Sequence, residues 1–433
     1  MMSKLCLLRR ILVLVFVLTC LISLYGCKDR GDAAGGRGDV EYLTMWNSKE
    51  PQAEFLKQMA SSFEDETGIH IQIDYVGRNV LTKVKSRFMM GDPPDLVDQD
   101  FNEIGAAISS GNLEAVDLNK VMEGAADIFD KELPELYADG EKMYFFPYES
   151  ITSGFFYDKN LYKRYGLSVP ETWDQFLRNN EMLRSDNINP LAADGSINFY
   201  NAYYYCWAVQ RVLGTGALKL AAEDRDGSAW EAPGYLEAAE MIYDMSGAGK
   251  HYFQEGYKSS EWPNAQIEWA KGNSGSLLCS TWIPSETKLH TKQDFSYGFF
   301  SFPEVKGGIG KNTEVEVAYI GCAIPGGAKN ISGAVSFLKY ISKRENAQKF
   351  SEMTGTISAR KDVNYPEELE DVKIYREKIS RPYKSYDGVW MDMPEWWTNV
   401  FLPLNDKLFF GELAPKDFIE KIKKESAAFW SAR

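Results

Sequence analysis

The chain has 433 residues, a formal charge of −14 and 44% hydrophobic residues. An acid-rich chain excludes nucleic acid and anionic lipid surfaces as principal partners, because both repel it. Aromatic residues reach 14%, with 11 Trp, 24 Tyr and 24 Phe, enough ring surface to fill cores and leave some for stacking on a ligand.

Met1-Met2-Ser3-Lys4, with Arg9 and Arg10, precedes the run ILVLVFVLTCLISLY. A basic region followed by an apolar stretch too short for a comfortable bilayer span predicts an export signal over residues 1–26. Leu24-Tyr25-Gly26-Cys27 resembles a bacterial lipobox, which implies lipidation at Cys27 and a tethered rather than spanning mature chain; Tyr25 is bulkier than the usual occupant. Each buried CH₂ of an acyl chain contributes about 0.8 kcal/mol, so several chains give stable anchoring where one is marginal. The Gly-, Asp- and Arg-rich stretch 27–40 reads as a flexible linker. It contains Arg30-Gly31-Asp32 and Arg37-Gly38-Asp39, short matches to an adhesion tripeptide.

The remaining stretch of roughly 400 residues exceeds what one core supports and predicts two domains. Cys6 and Cys20 leave with the signal, so Cys206, Cys279 and Cys322 remain. Their wide spacing implies no disulfide framework, and a Cys279–Cys322 bridge stays open.

Glu41-Tyr-Leu-Thr-Met-Trp46 reads as a strand, and Pro51 opens a helix with Phe55, Leu56, Met59 and Phe63 on one face, stopped at Thr67-Gly68. Ile69 to Tyr75 alternates as a second strand, a helix passes through Val80, Val84 and Phe88, and Asp95-Leu-Val97 follows Gly91-Asp-Pro-Pro94 as a third strand. Strand, helix, strand, helix, strand predicts a parallel sheet, with ligands beyond the carboxyl ends of its strands. That rule puts Trp46, Asn47, Gln99, Asp100 and Asn102 on one rim. Farther along, residues 139–148 read as a hairpin, Gly154 to Leu161 as a new alternating unit, and Thr172 as the cap of a helix. Residues 295–304 and 318–325 read as strands, and a helix runs near Ser332 to Met353.

These segments, taken together, resemble the extracellular solute-binding proteins of ABC-type sugar importers, the group that includes the maltodextrin binders. The likeness rests on ordered motifs: Phe63-Glu-Asp-Glu-Thr-Gly68, Gly91-Asp-Pro-Pro-Asp95, Ser110-Gly-Asn-Leu113, Asp139-Gly140 with Phe146-Pro147, Tyr157-Asp-Lys-Asn-Leu161, Pro170-Glu-Thr-Trp-Asp174 and Gly275-Ser-Leu-Leu-Cys-Ser-Thr-Trp282. Ala334-Val-Ser-Phe-Leu338 and a Gly355-Thr-Ile-Ser turn extend it toward residue 360. The resemblance implies an α/β, two-lobed periplasmic-binding-protein fold of type II character, each lobe a mostly parallel sheet flanked by helices and joined by hinge segments. The lobes are expected at 41–147 plus 303–345 and at 148–302 plus 346–433.

It further implies a carbohydrate held between the lobes and handed to ABC permease subunits, by a monomer on the extracytoplasmic face with no enzymatic activity. Trp46 and Asn47 match the contact loop after the first strand, Gln99, Asp100 and Asn102 the loop after the third, Tyr148 and Ser150 the first hinge, and Trp282 an aromatic that packs on the sugar. Gln99 stands where maltodextrin binders place a tryptophan and Asn102 where they place an aspartate, which argues against maltodextrin. Position and composition add Tyr204, Trp207, Trp390, Asp392 and Trp397 as ligand contacts. Independently of any family, an indole face suits the flat C–H patches of a pyranose, and a carboxylate or amide suits its paired hydroxyls.

His70, His251 and His290 are scattered and lack metal-ligand spacing, Gly247-Ala-Gly-Lys250 is too short for a phosphate loop, and no G-x-S-x-G elbow occurs. No cofactor, metal or nucleic acid is expected. An exported glycoside hydrolase, whose paired carboxylates and aromatics leave a similar mark, and an adhesive surface lipoprotein are the alternatives.

Overall fold

The computed structural model describes residues 38–121, 128–129 and 142–433. The export signal, Cys27, the linker up to residue 37, Arg30-Gly31-Asp32 and Asp139-Gly140 lie outside the described residues. No helix among the described residues is long and apolar enough to cross a membrane.

The first lobe is built around β1 (Val40–Thr44), a strand buried on both faces except at Glu41, which reaches out to Arg87. α1 (Pro51–Thr67) follows, begun by a proline whose missing N–H costs nothing at that position. Phe55, Leu56, Met59 and Phe63 form its buried stripe, and Gly68 ends it at φ 72°, a left-handed cap that a side chain would disfavour. β2 (Ile71–Tyr75) and β3 (Leu96–Asp100) flank β1 in parallel, with α2 (Val80–Met89) between them in sequence and α3 (Phe101–Ser109) after β3.

β4 (Phe146–Ile151) is the last strand of this lobe before the chain crosses over, and β5 (Ser153–Asp158) is the first of the second. The second sheet has the order β6-β7-β5-β8, with β6 at Asn189–Ala192, β7 at Ser274–Ser280 and β8 at Tyr297–Phe300. Ahead of it, α4 (Trp173–Ser185) carries a full capping box: Thr172 accepts from the Gln175 backbone while the Gln175 side chain accepts from Thr172. α5 (Asn198–Leu213) runs through the middle of this lobe, buried along almost its whole length. β9 (Glu314–Glu316) pairs with β12 (Arg381–Tyr383), and β10 (Ala318–Ala323) returns to the first sheet between β3 and β4. α6 (Ile331–Ile341), α7 (Arg344–Thr354) and β11 (Ile357–Ser358) complete the first lobe, giving the order β11-β4-β10-β3-β1-β2. α8 (Glu370–Glu377) belongs to the second lobe, where Val372 packs with Leu369 and Phe299.

Two expectations change. Neither sheet is mostly parallel: β10 runs against β3 and β4, β11 against β4, and β5 against both β7 and β8, leaving β1–β2, β1–β3 and β6–β7 as the parallel pairs. Strands that arrive from the other lobe need no crossover helix, so nothing imposes a common direction on them. The lobe borders also move. Residues 148–151 stay in β4, and residues 346–359 stay with the first lobe because Phe350 packs on Phe55 at 5.1 Å and β11 pairs with β4. Residues 303–316 remain with the second lobe through the Glu304–Trp173 backbone bond and the β9–β12 pair. The crossings fall at Thr152, at Val317 and after Asn364, whose backbone N–H still donates to Gln348 of the first lobe. Cys206, Cys279 and Cys322 are buried free thiols, and Cys279 and Cys322 sit in different lobes, which removes the bridge left open above.

Candidate functional site

Asp98, at the heart of the first sheet, organises the loop that follows β1. Its Oδ2 accepts from the hydroxyls of Tyr42 at 2.6 Å, Thr44 at 2.9 Å and Tyr148 at 2.8 Å, and its Oδ1 accepts from the Met45 N–H at 2.7 Å. Burial raises this carboxyl above its ordinary range, and the four donors pull it back. Trp46 joins the network by donating its indole N–H to the Tyr148 hydroxyl at 2.7 Å. Its ring is covered by the Arg78 guanidinium at 4.7 Å, leaving Trp46 5% exposed. Trp46 and Tyr148 are therefore packed behind the cleft wall rather than lining it, since each polar tip finds its partner inside. Asn47 is exposed and bonds the Glu50 carboxylate.

In front of this layer a cavity of about 290 Å³ opens between the two sheets. Its first-lobe wall carries Arg78, Gln99, Asp100, Glu103, Ile151 and Ala318. Gln99 donates to the Arg78 carbonyl at 3.0 Å, and Arg78 is itself held by Glu50 at 2.5 Å and by the Met45 carbonyl at 2.7 Å. Asp100 caps α3, its Oδ1 accepting from the Asn102 N–H at 2.8 Å and the Asn102 amide at 2.9 Å. Asn102 is 1% exposed and belongs to the cap, not to the cavity surface.

The second-lobe wall is aromatic. Trp282, Tyr200, Tyr203 and Tyr386 form a row of nearly parallel rings, with centroids 6.5, 6.4 and 5.0 Å apart and planes within 24° of one another pairwise. Phe199 and Trp390 extend it, edge to face at 5.3 Å. α5 supplies Phe199, Tyr200 and Tyr203 from one side because residues one turn apart share a face. Tyr386 reaches the row through an unusual turn: Tyr386 and Asp387 both adopt positive φ, 53° and 55°, followed by Gly388 at 76°. Left-handed backbone at two consecutive non-glycine residues costs roughly 1–2 kcal/mol each. The Asp387 carboxylate offsets this by accepting from the N–H groups of Gly216 at 2.9 Å and Leu218 at 3.0 Å, and the Tyr386 hydroxyl donates to the Phe199 carbonyl at 2.9 Å.

Between the walls lie Ser385 and Glu316, the latter at the second crossing and 1% exposed. Glu316 Oε1 accepts from the Ser385 hydroxyl at 2.6 Å, and Oε2 has no hydrogen-bond partner. Burial pushes Glu316 up to about 7, against the pull of the Ser385 and Ser153 hydroxyls, with Asp100 adding to the rise. Asp100 is pushed up to about 6 by burial, opposed by the Asn102 donors.

Of the residues marked from sequence, the structure brings Gln99, Asp100, Trp282 and Trp390 together on this cavity. Tyr204 and Trp207 are corrected to core positions. Tyr204 is turned a quarter of the way round α5, against Phe155, Phe253 and Phe409, and Trp207, on the same face as Tyr200 and Tyr203 but one to two turns further along, lies past the cavity, stacked on Phe302 at 6.2 Å. Trp397 is 1% exposed and packs on Phe401 at 4.6 Å behind Tyr386, so it too is core. Asp392 pairs with Lys219 and lines a separate groove beside α3. Ser150 lies at the first crossing, where the Arg376 guanidinium donates to it at 3.2 Å and to Thr152 at 3.3 Å. Sequence reasoning missed Arg78, Phe199, Tyr200, Tyr203, Glu316 and Tyr386. Only Phe199, Tyr200 and Tyr203 carried a signal, the three- and four-residue spacing of Phe199 and Tyr200 from Tyr203 in an aromatic-rich stretch. No group of three His, Cys, Asp or Glu side chains that could hold a metal comes together among the described residues.

Two α/β lobes, joined by crossing strands and facing each other over one aromatic and acidic cleft, define a two-domain solute-binding protein. The chain belongs to the family described as bacterial extracellular solute-binding protein, which it matches over residues 47–348. It is 25% identical to the multiple sugar-binding protein of Streptococcus mutans over 78% of this chain and 80% of the relative. It is also 25% identical to the diacetylchitobiose binding protein NgcE of Streptomyces coelicolor, over 53% of this chain and 49% of that one. Among solved structures, RafE in complex with raffinose, a protein of Streptococcus pneumoniae, aligns at a TM-score of 0.72 and 19% identity, covering 90% of this chain and 99% of RafE.

Proposed function

We propose that this protein captures a sugar or oligosaccharide between its lobes and delivers it to an ABC-type permease, as a monomer tethered to the extracytoplasmic face of the membrane by lipid on Cys27. The observation that carries the reading is the row Trp282-Tyr200-Tyr203-Tyr386 facing Gln99 and Asp100 across one cavity. Ring faces match the C–H surfaces of a pyranose, and a carboxylate with a neighbouring amide matches its hydroxyls. The relatives named for sugars support the same class of ligand. Closure follows from contacts that only the closed form makes, so ligand must favour that form. The chemistry asked of the cleft is capture, and the sugar leaves unchanged.

Thermal unfolding in the presence of raffinose, diacetylchitobiose and xylotriose tests this. A ligand that binds only the native state raises the midpoint through RT ln(1 + [L]/Kd). At least one sugar is expected to raise it, and a midpoint unmoved by a broad carbohydrate panel would sink the reading. Release of cleaved product at enzyme-like rates would replace it with glycoside hydrolysis. Replacing Cys27 with Ser is expected to release the chain from membranes while leaving sugar binding intact.

A further inference from the structure

We propose that Glu316 is the specificity-determining residue of this cleft: its unpaired oxygen takes a hydrogen bond from a hydroxyl of the bound sugar, and the cleft accepts neutral saccharides while refusing acidic ones. The inference rests on the carbohydrate reading above and narrows it.

A buried polar atom with no partner costs roughly 1–3 kcal/mol, so native folds keep such atoms where something else completes them. Glu316 Oε2 is one of these, in a side chain that lines the cavity. The first carboxylate oxygen is already committed to Ser385. Ser385 and Tyr386 hold the far side of the same cavity, so a sugar laid along the aromatic row ends against the second crossing, where Glu316 sits. A hydroxyl donated there meets an acid oxygen with no other partner, and once the group is ionised the bond is charge-assisted, about twice as strong as a neutral one.

The sign of the charge then follows. Asp100, Glu103 and Glu316 line the cavity, and the guanidinium of Arg78, which also lines it, is already held by Glu50 and the Met45 carbonyl. A uronate entering this space would lose its hydration, find its own sign on the walls and meet, among the described lining residues, one guanidinium that is already paired with Glu50. A neutral sugar has hydroxyls that can donate to these acids and accept from donors beside them such as Arg78 and Tyr200.

Titration calorimetry on the full chain tests both halves, with raffinose, diacetylchitobiose and xylotriose as neutral probes and digalacturonate and glucuronosyl-xylotriose as acidic ones. The wild type is expected to bind at least one neutral probe and neither acid. Glu316→Ala is expected to weaken the neutral probe by about tenfold or more. Its ligand-free melting midpoint should hold or rise, because an unpaired buried carboxylate destabilises the fold that contains it. Glu316→Gln keeps the volume and an acceptor for Ser385, and is expected to fall between the two. An acidic probe bound as tightly as a neutral one, or neutral binding unchanged in both variants, would overturn the proposal and leave the carbohydrate reading standing. A wild type that binds no probe brings down the carbohydrate reading, and this one with it.

Discussion

Trp46 donates its indole N–H to the Tyr148 hydroxyl at 2.7 Å, and the Tyr148 hydroxyl in turn donates a hydrogen bond to Asp98 at 2.8 Å. This relay ties the loop after β1 to β4, the strand that leads into the first crossing between the lobes. The tryptophan thus fixes the geometry of the cleft wall without touching its surface. Tyr148→Phe leaves the Trp46 N–H and one Asp98 position unpaired in the core, at a cost of about 1–3 kcal/mol. Chemical denaturation of the ligand-free variant should show that loss, and an unchanged midpoint would mean the relay is not formed.

Two tryptophans should separate binding from stability. Trp282 stands at the end of the aromatic row, partly buried, and Trp207 is wholly buried behind it. Trp282→Ala is expected to weaken sugar binding by about 1–2 kcal/mol while the fold survives. Trp207→Ala should destabilise the fold by about 3–5 kcal/mol. Calorimetric titration paired with unfolding curves reads both, and the opposite pattern would exchange their roles.

Gly105 on α3 faces Met391 of the short helix Val389–Asp392, so that a Cβ there would lie 2.7 Å from the methionine sulfur. This contact joins the two lobes beside the cleft. Gly105→Leu should hold the lobes apart and weaken ligand binding by roughly tenfold, since ligand favours only the closed form. Small-angle scattering should show the variant failing to contract with ligand, and Met391→Ala in the same chain should restore part of the affinity.

Several buried carboxyls set the pH dependence of stability. Glu149 is pushed up to about 8 by burial, against Gln52, Thr356 and Arg78 and with Glu50 adding to the rise; Glu316 stands at about 7 and Asp100 at about 6. Unfolded carboxyls titrate near 4, so over this window the folded chain holds protons that the unfolded chain has released. The slope of stability against pH is then negative: these groups favour the fold at low pH and withdraw that support as pH rises from about 4 to about 8. The melting midpoint at pH 5 should exceed that at pH 8, and Glu149→Gln should flatten the upper part of the fall. A midpoint that climbs over this range in the wild type would contradict the assignment.

Local signals in the sequence were enough for much of the frame. The proline at the head of α1, the glycine at its end and the Thr172–Gln175 capping box are satisfied by neighbours within a few residues, so the chain needs no distant partner to place them. The rim at Gln99 and Asp100 was legible for a related reason, since a parallel strand followed by a helix delivers its carboxyl end to the ligand side. The aromatic wall was not. α5 is buried nearly all round, its Asn201, Gln210 and Arg211 included, because one side faces the core and the other a ring-lined cleft, so no solvent-facing polar stripe separates Tyr203 from Tyr204 or marks Trp207 as interior. The direction of β10, the membership of β4 and α7 in the first lobe, and the place of Glu316 depend on pairings between residues far apart in the chain. The sequence by itself determined the elements, their caps and the two-lobed class. Only the tertiary structure decided which rings and carboxylates meet, because a helix buried on every side and a strand crossing between lobes take their facing from what packs against them.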